Sequence, residues 1–183
     1  MFSWLQKSPK ITNTLSPELI QTVLEQYALS WRGTHGVSHW ARVFENGYEL
    51  AQITQAKLHV VQLFALFHDA KRVNEGRDKG HGQRGAEYAA TLRGQLFELD
   101  DEDFQLLYQA CAQHTNGLVK ADITVQTCWD ADRLDLGRVN IRPREHYLCT
   151  DAAKAPSMIS WATERARKRV LPQFVYKAWQ VKL

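Results

Sequence analysis

The sequence predicts an all-α bundle, and three observations carry that expectation. Through most of the chain apolar residues recur at three- and four-residue intervals, the period of a helix that buries one face. Start and stop signals such as Ser16-Pro17-Glu18 and Asn116-Gly117 bracket those runs. No stretch alternates apolar and polar residues convincingly enough to be read as a strand.

The elements follow in order. Ser16 in the capping position and Pro17 at the first helical residue open a helix expected to run to about residue 30. A loop rich in Gly and His comes next. From Ser38 onward, Trp40, Val43, Phe44, Gly47, Tyr48 and Ala51 fall at helical spacing, with His39 on the first turn. Residues 58–71 are apolar on nearly all sides and read as a buried central helix carrying His68 and Asp69 near its end. In the stretch 74–82, NEGRDKGHG, glycines and charges break the helical period, so a mobile polar loop is expected to deliver His81 to a helix over 83–96.

The segment 100–114 begins with acidic residues suited to a helix N-terminus, which places His114 at a helix end. Residues 124–136 suit a helix, although Thr124, Val125 and Thr127 would equally suit a strand. Two further helices, about 157–171 and 173–182, are separated by Pro172. A single domain is expected, with its core over about 16–140 and a helical extension over about 150–183.

Composition narrows the class. A 44% hydrophobic fraction and six Trp belong to a packed globular protein, while a net charge of +3 is too small to demand a polyanionic partner. Cys111, Cys128 and Cys149 form no CxxC pair, and their odd count argues against a disulfide framework and for a reducing cytoplasm. The opening MFSWLQKSPK lacks a signal-peptide pattern, and the most apolar stretch, 60–67, is far too short to span a bilayer. A cytoplasmic protein without membrane attachment is expected.

Chemistry enters with a train of metal-ligand residues: His39, the pair His68 and Asp69, then His81, His114 and Asp132. Imidazole and carboxylate in this mixture suit divalent first-row metals, which polarise phosphoryl oxygens and activate water near neutral pH. Leaving His68 and Asp69 unpartnered where a buried helix meets a polar loop would cost several kcal/mol, on the order of the penalty for unpaired buried polar groups. A metal removes that cost. Adjacent helical positions point about 100° apart, so one ion fits only in the wedge between the two side chains, and further ligands must come from other helices.

His39, His68-Asp69 and Asp132 in this order, the last within WDADRLD, resemble the HD-domain superfamily of metal-dependent phosphohydrolases. The resemblance covers roughly residues 34–137, and the ordered set of four is much more specific than any one member. It implies an HD-domain-like helical bundle in which His39, His68, Asp69 and Asp132 bind a metal. Asp130 and Asp135 compete for the last role, and the setting Ala131-Asp132-Arg133-Leu134 favours Asp132. Members with two metals carry extra histidines between the His-Asp pair and the final Asp, where His81 and His114 stand. These two either hold a second ion or face the substrate phosphate across a single one.

Departures from familiar subfamilies also appear. Ala70-Lys71-Arg72 follows the pair in place of Ile-Gly, and no Gly-Tyr-Pro signature follows, so the resemblance does not extend to the group that hydrolyses cyclic dinucleotides. Arg72 is a candidate for phosphate binding, because guanidinium is a bidentate phosphate partner, and Arg77, Lys79, Arg84 and Arg133 are further candidates.

Simpler roles suit other residues. His35 reads as a solvated loop residue, His59 and His146 as structural or solvated, and Asp130 and Asp135 as salt-bridge or capping groups. Arg165, Arg167, Lys168 and Arg169 close a helix rather than bind nucleic acid, and Trp161, Phe174, Tyr176 and Trp179 pack the C-terminal helices on the bundle.

The expected activity is hydrolysis of a phosphate ester or anhydride in a nucleotide-like small molecule, with one or two divalent ions (Mn, Fe, Mg, Co, Ni or Zn). Asp69 would orient or deprotonate the nucleophile, while His81, His114 and Arg72 fix the phosphate or protonate the leaving group. Two rivals remain open: a cyclic-nucleotide or oligonucleotide phosphodiesterase, and a metal-dependent nucleotide sensor without turnover.

Overall fold

The computed structural model describes residues 10–12 and 14–181. The opening segment 1–9, read above for a signal-peptide pattern, and position 182, the expected end of the last helix, lie outside them. Nine α-helices and no β-strand occur among the described residues, so the expected fold class holds.

Helix α1, Pro17–Glu25, starts as expected, with Ser16 Oγ accepting from the Leu19 amide at 3.0 Å. It stops about five residues short of residue 30. Tyr27 instead turns inward, and its hydroxyl donates to the His35 carbonyl at 2.9 Å, which braces the turn leading into α2, Val37–Thr54. Helix α3, Leu58–Phe67, is buried at every position from Val60 onward. It is the central rod, packed against α2, α5 (Asp101–Gln113) and α6 (Ile123–Arg133). His68 and Asp69 follow directly at its C-terminal end.

The strand alternative for 124–136 fails for a local reason. Asp122 accepts from the Thr124 amide at 2.7 Å and caps α6, while Thr127 turns its hydroxyl back to the Ile123 carbonyl at 2.8 Å. The face holding Val125, Cys128 and Trp129 is then fully buried. A 3-10 turn, Leu134–Val139, continues from α6.

The polar segment before α4, His81–Leu92, is pinned, where a loose loop was expected. Asp78 accepts from the Val73 amide at 2.8 Å and from Arg84 Nη2 at 2.7 Å on each carboxylate oxygen, and Arg72 donates to the Gly76 carbonyl at 2.7 Å. Helix α4 then meets the ends of α3 and α5 at very short range. A Cβ on Gly82 would lie 2.3 Å from the Cys111 carbonyl, and one on Gly85 would lie 2.4 Å from that of Phe67. Only glycine lets the backbones approach so closely.

The C-terminal helices α7 (Asp151–Lys154), α8 (Pro156–Arg167) and α9 (Phe174–Ala178) are built into the same apolar cluster, which runs from Leu15 to Val181. Fully buried Trp179 meets Phe44 of α2 edge-on, and α8 packs against the 3-10 turn. The amides of Cys149 and Thr150 donate to Asp130 at 2.7 and 2.8 Å, so Asp130 ties the extension to α6. In the basic run, Arg165 pairs with Glu45 and Lys168 with Glu164. Among the described residues no helix is long and apolar enough to cross a membrane.

Candidate metal centre

Five elements converge on one point. His39 comes from the first turn of α2, His68 and Asp69 from the end of α3, His81 from the start of α4, His114 from the end of α5, and Asp132 from the end of α6. All six residues proposed from the sequence are brought together. Asp69 lies in the middle with its two oxygens facing opposite ways. Oδ2 is 3.6 Å from His39 Nε2 and 3.8 Å from His68 Nε2, while Oδ1 is 3.1 Å from His81 Nε2 and 3.8 Å from His114 Nε2. Two candidate ligand groups therefore share one carboxylate, His39-His68-Asp69 and Asp69-His81-His114. Asp132 adds to the first, with Oδ1 3.4 Å from His39 Nε2 and 4.0 Å from His68 Nε2. Its side chain is 18% exposed against 0–6% for the other five, which marks the open side of the site.

The protons of the four imidazoles are fixed by what lies behind them. Nδ1 of His39 donates to Asp135 Oδ2 at 2.7 Å, that of His68 to the Phe64 and Ala65 carbonyls, that of His81 to the Asp78 carbonyl at 2.6 Å, and that of His114 to the Cys111 carbonyl at 2.8 Å. These partners only accept, so each neutral ring carries its proton on Nδ1 and turns a bare Nε2 lone pair inward. The Nε2 atoms of His39 and His68 stand 3.1 Å apart, and those of His81 and His114 3.0 Å. Facing lone pairs repel, and a shared divalent cation turns that repulsion into coordination. A metal-ligating histidine whose other nitrogen donates to a carboxylate or carbonyl is the expected arrangement. The residues present thus fit a metal, and two overlapping groups could hold one.

Electrostatics agree with that fit at His68 and His114 and act the other way at His81. Burial drives His68 down to about 3 and also lowers His114, which keeps both rings neutral at neutral pH. For His81 burial acts downward too, but the bond to Asp69 and its charge raise it above the usual value. Burial favours the neutral acid of Asp69, yet the imidazoles gathered around it, His68 and His81 first, outweigh it and hold the carboxyl well below the usual range. Asp132 is likewise lowered, its burial outweighed by the bond with His39 and the charge of Arg138.

The cations proposed for substrate binding separate into three kinds. Arg72 is buried against the second group, with Nη1 3.4 Å from Asp69 Oδ1 and 3.2 Å from His81 Nε2, so it sets a fixed positive charge beside the ligands. Arg84 and Arg133 lie outside the cluster, with their donors already taken. Arg84 is spent on Asp78 and the Lys71 carbonyl, and Arg133 on the carbonyls of Tyr147 and Leu118 at 2.8 and 2.7 Å. Both brace loops. Arg77 and Lys79 are exposed on the segment before α4.

Among the remaining histidines, His35 is bonded to Glu75 at 2.8 Å rather than simply solvated, His59 pairs with Asp103, and His146 lies against Tyr147 with the rings tilted. Asp135 makes a salt bridge, but one that bears on the site: it holds His39 while accepting from Arg42 Nε at 2.7 Å. Arg42 was not singled out from the sequence. Helical spacing offered the signal, since Arg42 lies three residues after His39 and Asp135 three after Asp132.

A helical bundle that gathers imidazoles and carboxylates from five elements into a buried, cation-ready cluster defines a metal-dependent hydrolase. The chain belongs to the HD domain family, whose model matches residues 36–137, more than half of its length. A solved structure described as a predicted HD superfamily hydrolase from an uncultured Thermotogales bacterium is similar to it at 26% identity and a TM-score of 0.63, over 82% of this chain and 86% of the other. No curated protein matches the chain significantly.

Proposed function

We propose that the protein is a two-ion phosphohydrolase acting on a phosphate ester or anhydride of a small, nucleotide-like molecule in the cytoplasm. The observation that supports it is the Asp69 carboxylate, whose two oxygens face separate pairs of histidine Nε2 atoms. Paired divalent ions would supply Lewis-acid polarisation of a phosphoryl oxygen and lower the pKa of water. His39, His68, Asp69 and Asp132 would hold one ion, and Asp69, His81 and His114 the other. This chain's own residues do the rest. Asp69 spaces the two ligand groups, Asp135 and the backbone carbonyls orient the rings by accepting from Nδ1 so that each Nε2 faces the centre, and buried Arg72 offsets the negative charge that a phosphate brings. Partly exposed Asp132 lies on the side from which substrate and water would enter.

Hydrolysis forms a bond from water oxygen to phosphorus as the bond to the leaving oxygen breaks, and the leaving oxygen takes up a proton. The test is a panel of phosphomonoesters, phosphodiesters and nucleotides, each offered to metal-loaded protein with several divalent ions. Release of phosphate from monoesters or anhydrides is expected. Turnover of diesters alone would make it a phosphodiesterase, and no turnover despite bound metal would make it a sensor; either result would overturn the reading.

A further inference from the structure

Beside the second ligand group lies a hollow of about 440 Å³, with His114 in its wall. Part of its wall is formed by Ile141, Arg142, Pro143, Arg144, Tyr147 and Leu148, beyond the span that the family model matches. Leu136, Ile141, Pro143, Tyr147 and Leu148 make it largely apolar, and Ile141 and Tyr147 stand 52% and 55% exposed. Large apolar side chains held open to solvent beside a catalytic cluster are what a ligand-binding wall requires.

Charge makes the surface more specific. Arg142 and Arg144 also line the hollow, and no carboxylate does. Among the described residues neither guanidinium has an ion-pair partner within 4.0 Å or a side-chain hydrogen bond, unlike Arg84, Arg93, Arg133 and Arg165. Arg133 lies between the two roles, since its bond to the Tyr147 carbonyl holds the aromatic wall in place.

We propose that this hollow binds the leaving group of the substrate, and that the leaving group is a flat, largely apolar body bearing negative charge of its own. The proposal rests on the reading of the centre as a phosphohydrolase. The substrate class becomes an organic phosphate with a second anionic substituent, as in an aryl or nucleoside bisphosphate. The scissile phosphate sits at the His-Asp cluster, the apolar body lies against Ile141 and Tyr147, and the second anion meets Arg142 and Arg144.

The test uses two non-hydrolysable probes, benzylphosphonate and 4-carboxybenzylphosphonate, titrated calorimetrically into the metal-loaded full chain. The carboxylated probe is expected to bind about tenfold tighter or more, the scale of a charge-assisted contact. In R142A/R144A the two affinities converge to within about twofold, whereas R167A, altered on the exposed end of α8, keeps the preference. Because the readout is a ratio within one protein, a general loss of folding does not imitate it. Equal binding of both probes to the unaltered chain, or a preference that survives in R142A/R144A, would overturn the proposal. Turnover of 4-carboxyphenyl phosphate is followed in parallel. Its absence with the probe preference intact would sink the hydrolase reading while upholding the anion-selective hollow.

Discussion

His81 and His114 present their Nε2 atoms to each other at 3.0 Å, and the Nδ1 of each is committed to a backbone carbonyl. With both rings neutral, two Nε2 lone pairs face each other. The same geometry recurs between His39 and His68, and Asp69 is common to both candidate ligand groups.

The second pair depends on a glycine. In Gly82→Ala the new Cβ would meet the Cys111 carbonyl at 2.3 Å and His114 Nδ1 at 2.9 Å, which forces α4 away from α5. Overpacking of this kind costs about 1–3 kcal/mol. Thermal unfolding should show that loss, and elemental analysis should show the second ion depleted more than the first. Full retention of both ions would mean that the helix approach does not position His81.

Asp135→Asn removes the carboxylate that holds His39 and leaves buried Arg42 without its charge partner. Loss of such an outer partner typically lowers metal affinity about 10–100-fold. Breaking a buried pair costs roughly 3–5 kcal/mol in addition. Competition with a metal indicator gives the first number and denaturant unfolding the second. Unchanged affinity would show that His39 is oriented without Asp135.

Far from the centre, burial raises Glu49 on α2 to about 7, with the neighbouring charge of Glu45 adding to the rise and Arg165 opposing it. Its ordinary value is 4.5, so between these pH values the folded protein binds more protons than the unfolded chain, and stability falls as pH rises through the window. Glu49→Gln is therefore expected to be more stable than the parent by about 1–2 kcal/mol at pH 8 and nearly equal to it at pH 4.5. Denaturant unfolding at the two pH values checks this, and a difference independent of pH would refute it.

Truncation after Thr150 would leave the metal centre intact if the C-terminal helices were an appendage. They are not. Removing them strips Trp179 and Phe174 from Phe44 and takes away the Val170 carbonyl that accepts from Arg42 at 3.2 Å. Losing one large aromatic from a core costs about 3–5 kcal/mol. The truncated chain is expected to be insoluble or unfolded by circular dichroism, and a folded, metal-binding fragment would contradict the packing described.

Much of this was legible in the sequence, because helix caps and apolar periods are local. Ser16, Asp100 and the buried run from Val60 to Phe67 announce their elements without tertiary information. The six candidate ligands were legible as an ordered pattern. Whether His81 and His114 face metal or phosphate was not, since that depends on which way the two oxygens of Asp69 point. The early stop of α1 also escaped, because it is set by a bond from Tyr27 to His35 across a turn. Arg84 and Arg133 looked like substrate cations because their partners, Asp78 and the carbonyls of Tyr147 and Leu118, become neighbours only on folding.

The central claim is that Asp69 divides two ions between two histidine pairs. Elemental analysis of metal-loaded, buffer-exchanged protein tests it most directly, comparing the unaltered chain with H81A/H114A and Asp69→Ala. Two ions per chain are expected in the first, one in the second, and neither site fully occupied in the third. A single ion in the unaltered chain, still present at the same ratio in H81A/H114A, would contradict the account.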